Sequence, residues 1–150
     1  MEKFASDSYR MPVQFRWADH DPNFHFRHSV YYDWATMCRF DFLKERGLNA
    51  ALMQKFNFGP IIFREEAVFR KEINYDDKVR INLKLQKSRR DYSRWTIIHE
   101  IRKNDDTLCA IVTIDGAWMN TVERKLFIPP AEAAHVFQQM SKDENFQWLD

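Results

Sequence analysis

Thirteen consecutive residues hold most of the side chains that could do chemistry. The run Asp19-His20-Asp21-Pro22-Asn23-Phe24-His25-Phe26-Arg27-His28-Ser29-Val30-Tyr31 carries two carboxylates and three of the five histidines. It leads straight into a segment of helical periodicity, so its far end coincides with a helix N-terminus. The first turn of a helix offers backbone N–H groups without intrahelical acceptors, together with the positive end of the macrodipole. A developing oxyanion can be held there. A carboxylate a few residues upstream can attack a carbonyl or activate a water. Cleavage of an activated acyl bond such as a thioester needs both parts, and the placement of Asp21 before the helix supplies both.

Plainer readings stand beside this one. Asp21 is also good turn chemistry ahead of Pro22, and His25 and His28 also read as exposed or hydrogen-bonded loop histidines. His20, Asp21, His25 and His28 could supply metal ligands, but their spacing fits no standard zinc motif, so no metal is expected. Tyr31 and Trp34 share the apolar face of the following helix, where core packing is the ordinary role. Arg39 reads as a structural ion pair and His99 as a satisfied core histidine.

The elements that must position this run follow from periodicity. From Pro12, Val13, Phe15 and Trp17 alternate with Gln14, Arg16 and Ala18, as in a strand that the segment Asp19-His20-Asp21-Pro22-Asn23 breaks, with Asp21-Pro22-Asn23 as turn chemistry. A helix is expected from about Ser29, a good N-cap, to Arg46, with Gly47 as its stop. Its apolar face of Tyr31, Trp34, Ala35, Cys38 and Phe42 is widened by Val30, Met37, Phe40 and Leu43, so it should be mostly buried. A short helix at about 49–56 comes next, then four strands at about 61–73, from 78, 93–102 and 107–120, with Gly116 marking a bulge. Pro129-Pro130 opens a last helix to about Met140. One long buried helix and consecutive strands on short turns give α+β architecture, with an antiparallel sheet wrapped around the central helix.

Composition bounds the rest. A chain of 150 residues with 45% hydrophobic residues reads as a single globular domain, with residues 1–10 as a loose segment. Thirteen Phe, five Trp and five Tyr point to a thick core, an apolar ligand cavity or a hydrophobic interface. Three dispersed glycines, Gly47, Gly59 and Gly116, exclude a glycine-rich phosphate loop. A net charge of +1 gives no reason to expect nucleic acid. Cys38 and Cys109 sit in apolar periodic segments and read as buried thiols. No apolar run approaches membrane-spanning length, so a cytoplasmic protein with no membrane partner is expected.

The pattern Asp21-x3-His25-x5-Tyr31, with Arg39 eight residues on, resembles the hot-dog acyl-CoA thioesterases. These include the 4-hydroxybenzoyl-CoA thioesterase branch and the related acyl-carrier-protein thioesterases. Asp19-His20-Asp21 matches the family's Asp-x-Asp, and Ile128-Pro129-Pro130 its proline entry to the last helix; the likeness runs from about residue 12 to 140. It implies a hot-dog fold, a homodimer or homotetramer with the site at the subunit interface, and no cofactor. It further implies Asp21 as nucleophile or general base, with His25, His28 and Tyr31 in the site. The substrate would be a thioester of coenzyme A or of an acyl carrier protein. Coenzyme A phosphates need cations, for which Arg89, Arg90 and Arg94 are the candidates, and Asn23 joins them as a substrate-binding residue. The chain departs from the family in carrying Phe24 where relatives often have Gly, and in the bulk of Phe26 and Arg27. Two other functions use the same residues: a hot-dog enoyl-thioester hydratase or dehydratase with an Asp/His pair, and a non-catalytic acyl-thioester binding module.

Overall fold

The computed structural model describes residues 9–23 and 25–150. Strand β1 is Tyr9–Pro12, and a short 3-10 turn spans Trp17–Asp19. Helix α1 is Val30–Glu45 and helix α2 is Ala50–Lys55. Strands β2 (Phe58–Phe69), β3 (Val79–Ser88), β4 (Arg94–Lys103) and β5 (Thr107–Asn120) follow. A two-residue β6 (Lys125–Leu126), helix α3 (Ala131–Gln138) and strand β7 (Lys142–Trp148) complete the chain.

The strands form one sheet in the order β1-β3-β4-β5-β2, with β6 on β5 and β7 on β3. The β3–β4–β5 pairs are antiparallel hairpin neighbours, while β2 reaches over to pair antiparallel with β5. Strand β7 runs parallel to β3 and covers the Leu85–Ser88 part of its edge, beyond the part that β1 covers. The alternation along β3 and β4 buries Val79, Ile81, Leu83, Leu85, Trp95, Ile97, His99 and Ile101. Helix α1 buries Val30, Tyr31, Trp34, Ala35, Cys38, Phe42 and Leu43 in the same core. Each large apolar side chain so removed from water contributes roughly 1.5–3 kcal/mol. Both cysteines are free and buried.

Several expectations need correction. The strand expected from Pro12 to Ala18 lies earlier, at 9–12, where the chain pairs in register with β3; the Val13 N–H still reaches the Val79 carbonyl at 2.9 Å, but Val13–Arg16 is outside any strand and Trp17–Asp19 coils to hydrogen-bond Asp19. Tyr9 and Arg10 are therefore strand residues, and the rest of the expected loose segment, 1–8, lies outside the described residues. Met37 and Phe40 are more than half exposed, so α1 is buried on one side only. Ser29 has helical dihedrals and its side chain caps no amide; its Oγ accepts instead from Arg27 Nε at 3.2 Å. The bulge falls on β2 at Phe63, opposite the Gly116–Asp115 step of β5. Gly116 itself is needed because a Cβ there would lie 2.5 Å from the Trp95 ring and 2.7 Å from the Ile61 carbonyl oxygen.

Candidate active site

The two acids of Asp19-His20-Asp21 have different environments. Asp19 is buried, and its carboxylate takes hydrogen bonds from the Arg16 guanidinium at 2.7 Å and the Arg16 backbone N–H at 3.1 Å, with Arg27 at 3.7 Å. Burial alone would push the Asp19 carboxyl up; the Arg16 hydrogen bonds and the charges of Arg16 and Arg27 outweigh it and hold it below the usual carboxylate range. Asp19 is thus a structural anchor. The bulk of Phe26 and Arg27 has the same purpose. Phe26 is buried against Phe15, His20 and Trp34, and the Arg27 N–H donates to the Asp19 carbonyl at 2.9 Å. Phe24 lies outside the described residues.

Asp21 stays at the surface of the loop. Its Oδ1 accepts from the backbone N–H of Asn23 at 2.8 Å and of His25 at 3.1 Å, and its own N–H donates to the His25 carbonyl at 2.7 Å. That Asx-type turn fixes the carboxylate through one oxygen. Oδ2 takes no hydrogen bond among the described residues.

Asp21, His25, His28 and Tyr31 line one cavity of about 360 Å³, with Phe26 at its floor and Phe69, Arg70, Lys71, Glu72 and Ile73 opposite. The far wall is the end of β2 and the turn that follows it. The bridge between His25 and Asn74 and the bonds from the Arg70 and Lys71 N–H groups to the Cys109 carbonyl fix that wall. His25 Nε2 meets Glu72 Oε2 at 2.9 Å. Tyr31 is buried edge-on to Phe69 with ring centroids 5.0 Å apart. Burial, with Cys109 and Asp21 nearby, pushes its hydroxyl up to about 12, so it stays a hydrogen-bond donor. At the start of α1 the Val30 N–H is spent on the Arg27 carbonyl and the Tyr32 N–H on the Ser29 carbonyl. The Tyr31 N–H between them has no backbone acceptor among the described residues.

Asn23 contributes its backbone to the Asp21 turn and does not line the cavity. Arg89, Arg90 and Arg94 sit at the other end of the sheet. Arg94 is opposite Ala117, which is opposite Ile61, eight residues along β2 from Phe69. At about 3.3 Å per residue that is roughly 26 Å along the strand. Arg90 stacks on Trp148 and Arg94 on Phe63, each at 5.0 Å. The cations at the cavity are Arg70 and Lys71, which the sequence reading missed along with Glu72. Their only sequence signal is an adjacent basic pair where an apolar strand ends. Among the described residues no group of three or more His, Cys, Asp or Glu is placed to hold a metal ion. No helix among them is long and apolar enough to cross a membrane.

Comparison with known proteins gives this arrangement its class. An antiparallel sheet curled around one long helix, with a carboxylate loop at the helix start, is the hot-dog fold. The chain belongs to the thioesterase-like superfamily, whose family model matches residues 15–144. A Staphylococcus aureus hypothetical protein, SAV2348, solved in complex with CoA, superposes with a TM-score of 0.79 at 16% identity, covering 91% of this chain and 87% of that one. The DHNA-CoA thioesterase of Staphylococcus aureus gives 0.77 at 18% identity, over 88% and 89% of the two chains. Slr0204, a 1,4-dihydroxy-2-naphthoyl-CoA thioesterase from Synechocystis, gives 0.78 at 15% identity, over 87% and 96%. No curated protein matches the sequence.

Proposed function

We propose that the chain hydrolyses acyl thioesters of coenzyme A or of an acyl carrier protein, in the cavity lined by Asp21, His25, His28 and Tyr31. The convergence of these four side chains on one cavity at the start of α1 is the observation that carries the reading. Asp21 is held through Oδ1 by two backbone amides, which leaves Oδ2 for the reaction. As general base, it takes a proton from water as the water oxygen attacks the thioester carbonyl. The resulting oxyanion is held by the Tyr31 N–H at the positive end of α1. Collapse expels the thiolate, which recovers the proton. As nucleophile, Oδ2 attacks directly, the thiolate leaves, and water cleaves the mixed anhydride. The Tyr31 hydroxyl is a donor to the substrate, and His25, whose Nε2–H is taken by Glu72, lines the cavity beside it. Arg70 and Lys71 are suited to coenzyme A phosphates.

The same proposal includes a homo-oligomer. Among the described residues strand β2 pairs on one side only, and Ile62, Phe63, Val68 and Phe69 are each 43–49% exposed along it. Such an unpaired apolar edge calls for a partner strand. An antiparallel two-fold pairing of β2 would carry the Arg89–Arg94 hairpin of one copy toward the Phe69 end of the other, giving those cations a role as well.

The test is release of free thiol from acyl-CoA thioesters of graded acyl size, by the wild type and by Asp21→Asn. Loss of a general base predicts a fall in kcat of about 10²–10⁴-fold with unchanged circular dichroism. Full activity in the variant refutes the assignment. Hydration of enoyl-CoA without thiol release would instead mark a hydratase, and acyl-CoA binding without turnover a binding module.

A further inference from the structure

Glu72 lies far in sequence from the run that carries Asp21, yet its side chain reaches that run across the cavity. Its backbone is fixed from behind. Lys103 Nζ donates to the Glu72 carbonyl at 2.7 Å, and Lys103 is itself paired with Asp77 at 3.5 Å. Its neighbours are fixed as well: the Lys71 N–H bonds the Cys109 carbonyl at 3.1 Å, and Ile73 is fully buried. The main chain of Glu72 thus belongs to the framework of the sheet, while its side chain, 60% exposed, meets His25 Nε2 at 2.9 Å.

His25 joins that side chain to Asp21. The His25 N–H donates to Asp21 Oδ1 at 3.1 Å, and the Asp21 N–H donates to the His25 carbonyl at 2.7 Å. The other bond to Asp21 Oδ1 comes from the Asn23 N–H, within the same loop, and ties the loop to nothing outside it. The bridge between His25 and Asn74 sets the loop beside the wall through the backbone. Among the described residues no side-chain hydrogen bond or ion pair other than Glu72–His25 joins residues 19–28 to residues 69–75. A reacting carboxylate loses rate when it is slightly misplaced, so what holds His25 also bears on Asp21.

We infer that Glu72 is a positioning residue for the Asp21 carboxylate and acts through His25. The Glu72–His25 bond ties the Asp21 loop to the sheet, so that Oδ2 keeps one direction relative to the opposite wall. The effect on turnover rests on the thioesterase reading; the tether itself does not. Its substance is reach rather than charge, and three variants separate the two. Glu72→Ala removes both. Glu72→Asp keeps the charge and is one methylene too short. Glu72→Gln gives up the charge and keeps the reach, with an amide oxygen to accept the Nε2–H.

Turnover is read on an acyl-pantetheine thioester, so that a changed charge beside Arg70 and Lys71 cannot act through nucleotide phosphates. In Glu72→Ala and Glu72→Asp, kcat should fall about two- to fivefold at unchanged KM, the size expected for one exposed pair. Hydrogen exchange at the residue 25 amide should quicken by a similar factor, about two- to fivefold. Glu72→Gln should recover most of both losses. His25→Ala should lower kcat at least as far as Glu72→Ala does, and adding Glu72→Ala to it should lower kcat no further. Circular dichroism of each variant checks that the fold is kept. An unchanged kcat in Glu72→Ala, faster exchange without a fall in kcat, or additive losses in the double variant would overturn the inference. So would a normal rate in Glu72→Asp with a loss in Glu72→Gln, which would make the charge the cause. If the wild type cleaves no thioester, the proposed function fails on its own and the exchange rates decide the tether. Faster exchange in the Ala and Asp variants but not in Gln then upholds it, and equal rates in all overturn it.

Discussion

Lowering the pH from 7 to 5 should cost this protein stability through one residue, His99. The ring is fully buried; Nδ1 donates to the Asn82 carbonyl at 2.8 Å, and Nε2 accepts from Arg39 at 3.0 Å. Burial first, and the Arg39 charge second, push its pKa from 6.5 down to about 3. The unfolded chain therefore binds a proton that the folded chain refuses, and stability falls as the pH drops from about 6.5 toward 3. At pH 5 the unfolded imidazole is almost wholly protonated, which favours unfolding by about 2 kcal/mol relative to pH 7. Any folded value below about 4 gives the same result at pH 5. Asp19, Asp77, Asp91 and Glu100 are also held low, but their ordinary values of 3.8 and 4.5 place their losses at more acid pH. For a chain of this length 2 kcal/mol corresponds to a fall in Tm of about 4–8 °C. The assay is urea unfolding at pH 7 and 5 of the wild type and of His99→Gln, whose amide can make both hydrogen bonds without titrating. The gap between the two proteins should shift by about 2 kcal/mol in favour of the variant. A shift under about 0.5 kcal/mol, or a His99 ring signal titrating near pH 6, would refute the reasoning.

Other outcomes follow from the geometry. Gly116→Ala drives a Cβ into the Trp95 ring and the Ile61 carbonyl, and should cost about 1–3 kcal/mol in chemical denaturation; an unchanged midpoint would refute the close approach. Asp19→Ala removes the acceptor for Arg16 and should destabilise by about 1–3 kcal/mol at pH 7. Because the folded Asp19 carboxyl is held low, its contribution is present above the ordinary carboxylate value and is lost as the pH falls through the folded one; the cost of the substitution should therefore shrink toward pH 2. Arg70→Ala with Lys71→Ala should raise KM for coenzyme A thioesters about tenfold and leave a pantetheine thioester, which lacks the nucleotide phosphates, unaffected.

The strand and helix pattern was legible because most of it follows from side-chain period. The alternation in β3 and β4 and the turn residues after Lys103 place three strands to within two residues. Strand β7 was not legible: Lys142–Trp148 is mostly polar and is extended only because its backbone completes the edge of β3. In the site, the loop half was contiguous in sequence and could be read directly. The Arg70–Glu72 half was hidden because it arrives through the pairing of β2 with β5, a long-range contact without a local signal. Residue type and spacing did not separate the two acids, although the family resemblance singled out Asp21. In the structure, burial and the reach of the Arg16 side chain distinguish Asp19 from Asp21.

The crossing of β2 to the outer side of β5 also fixes when the cavity can exist. Hairpins β3–β4 and β4–β5 close over short loops, whereas the Phe69–Ala110 pair closes over about forty residues and the Phe58–Asn120 pair over about sixty. Loop closure of that length is paid before its contacts reward it, so β2 docks after the three-strand meander has formed. The wall bearing Arg70, Lys71 and Glu72 is anchored to the Cys109 carbonyl and is not in place until then. A chain growing on the ribosome thus holds its Asp21 loop without the opposing wall until β5 has been made. Pulse-labelled hydrogen exchange during refolding should protect the amides of β4 before those of β2; protection of β2 first would exclude this order.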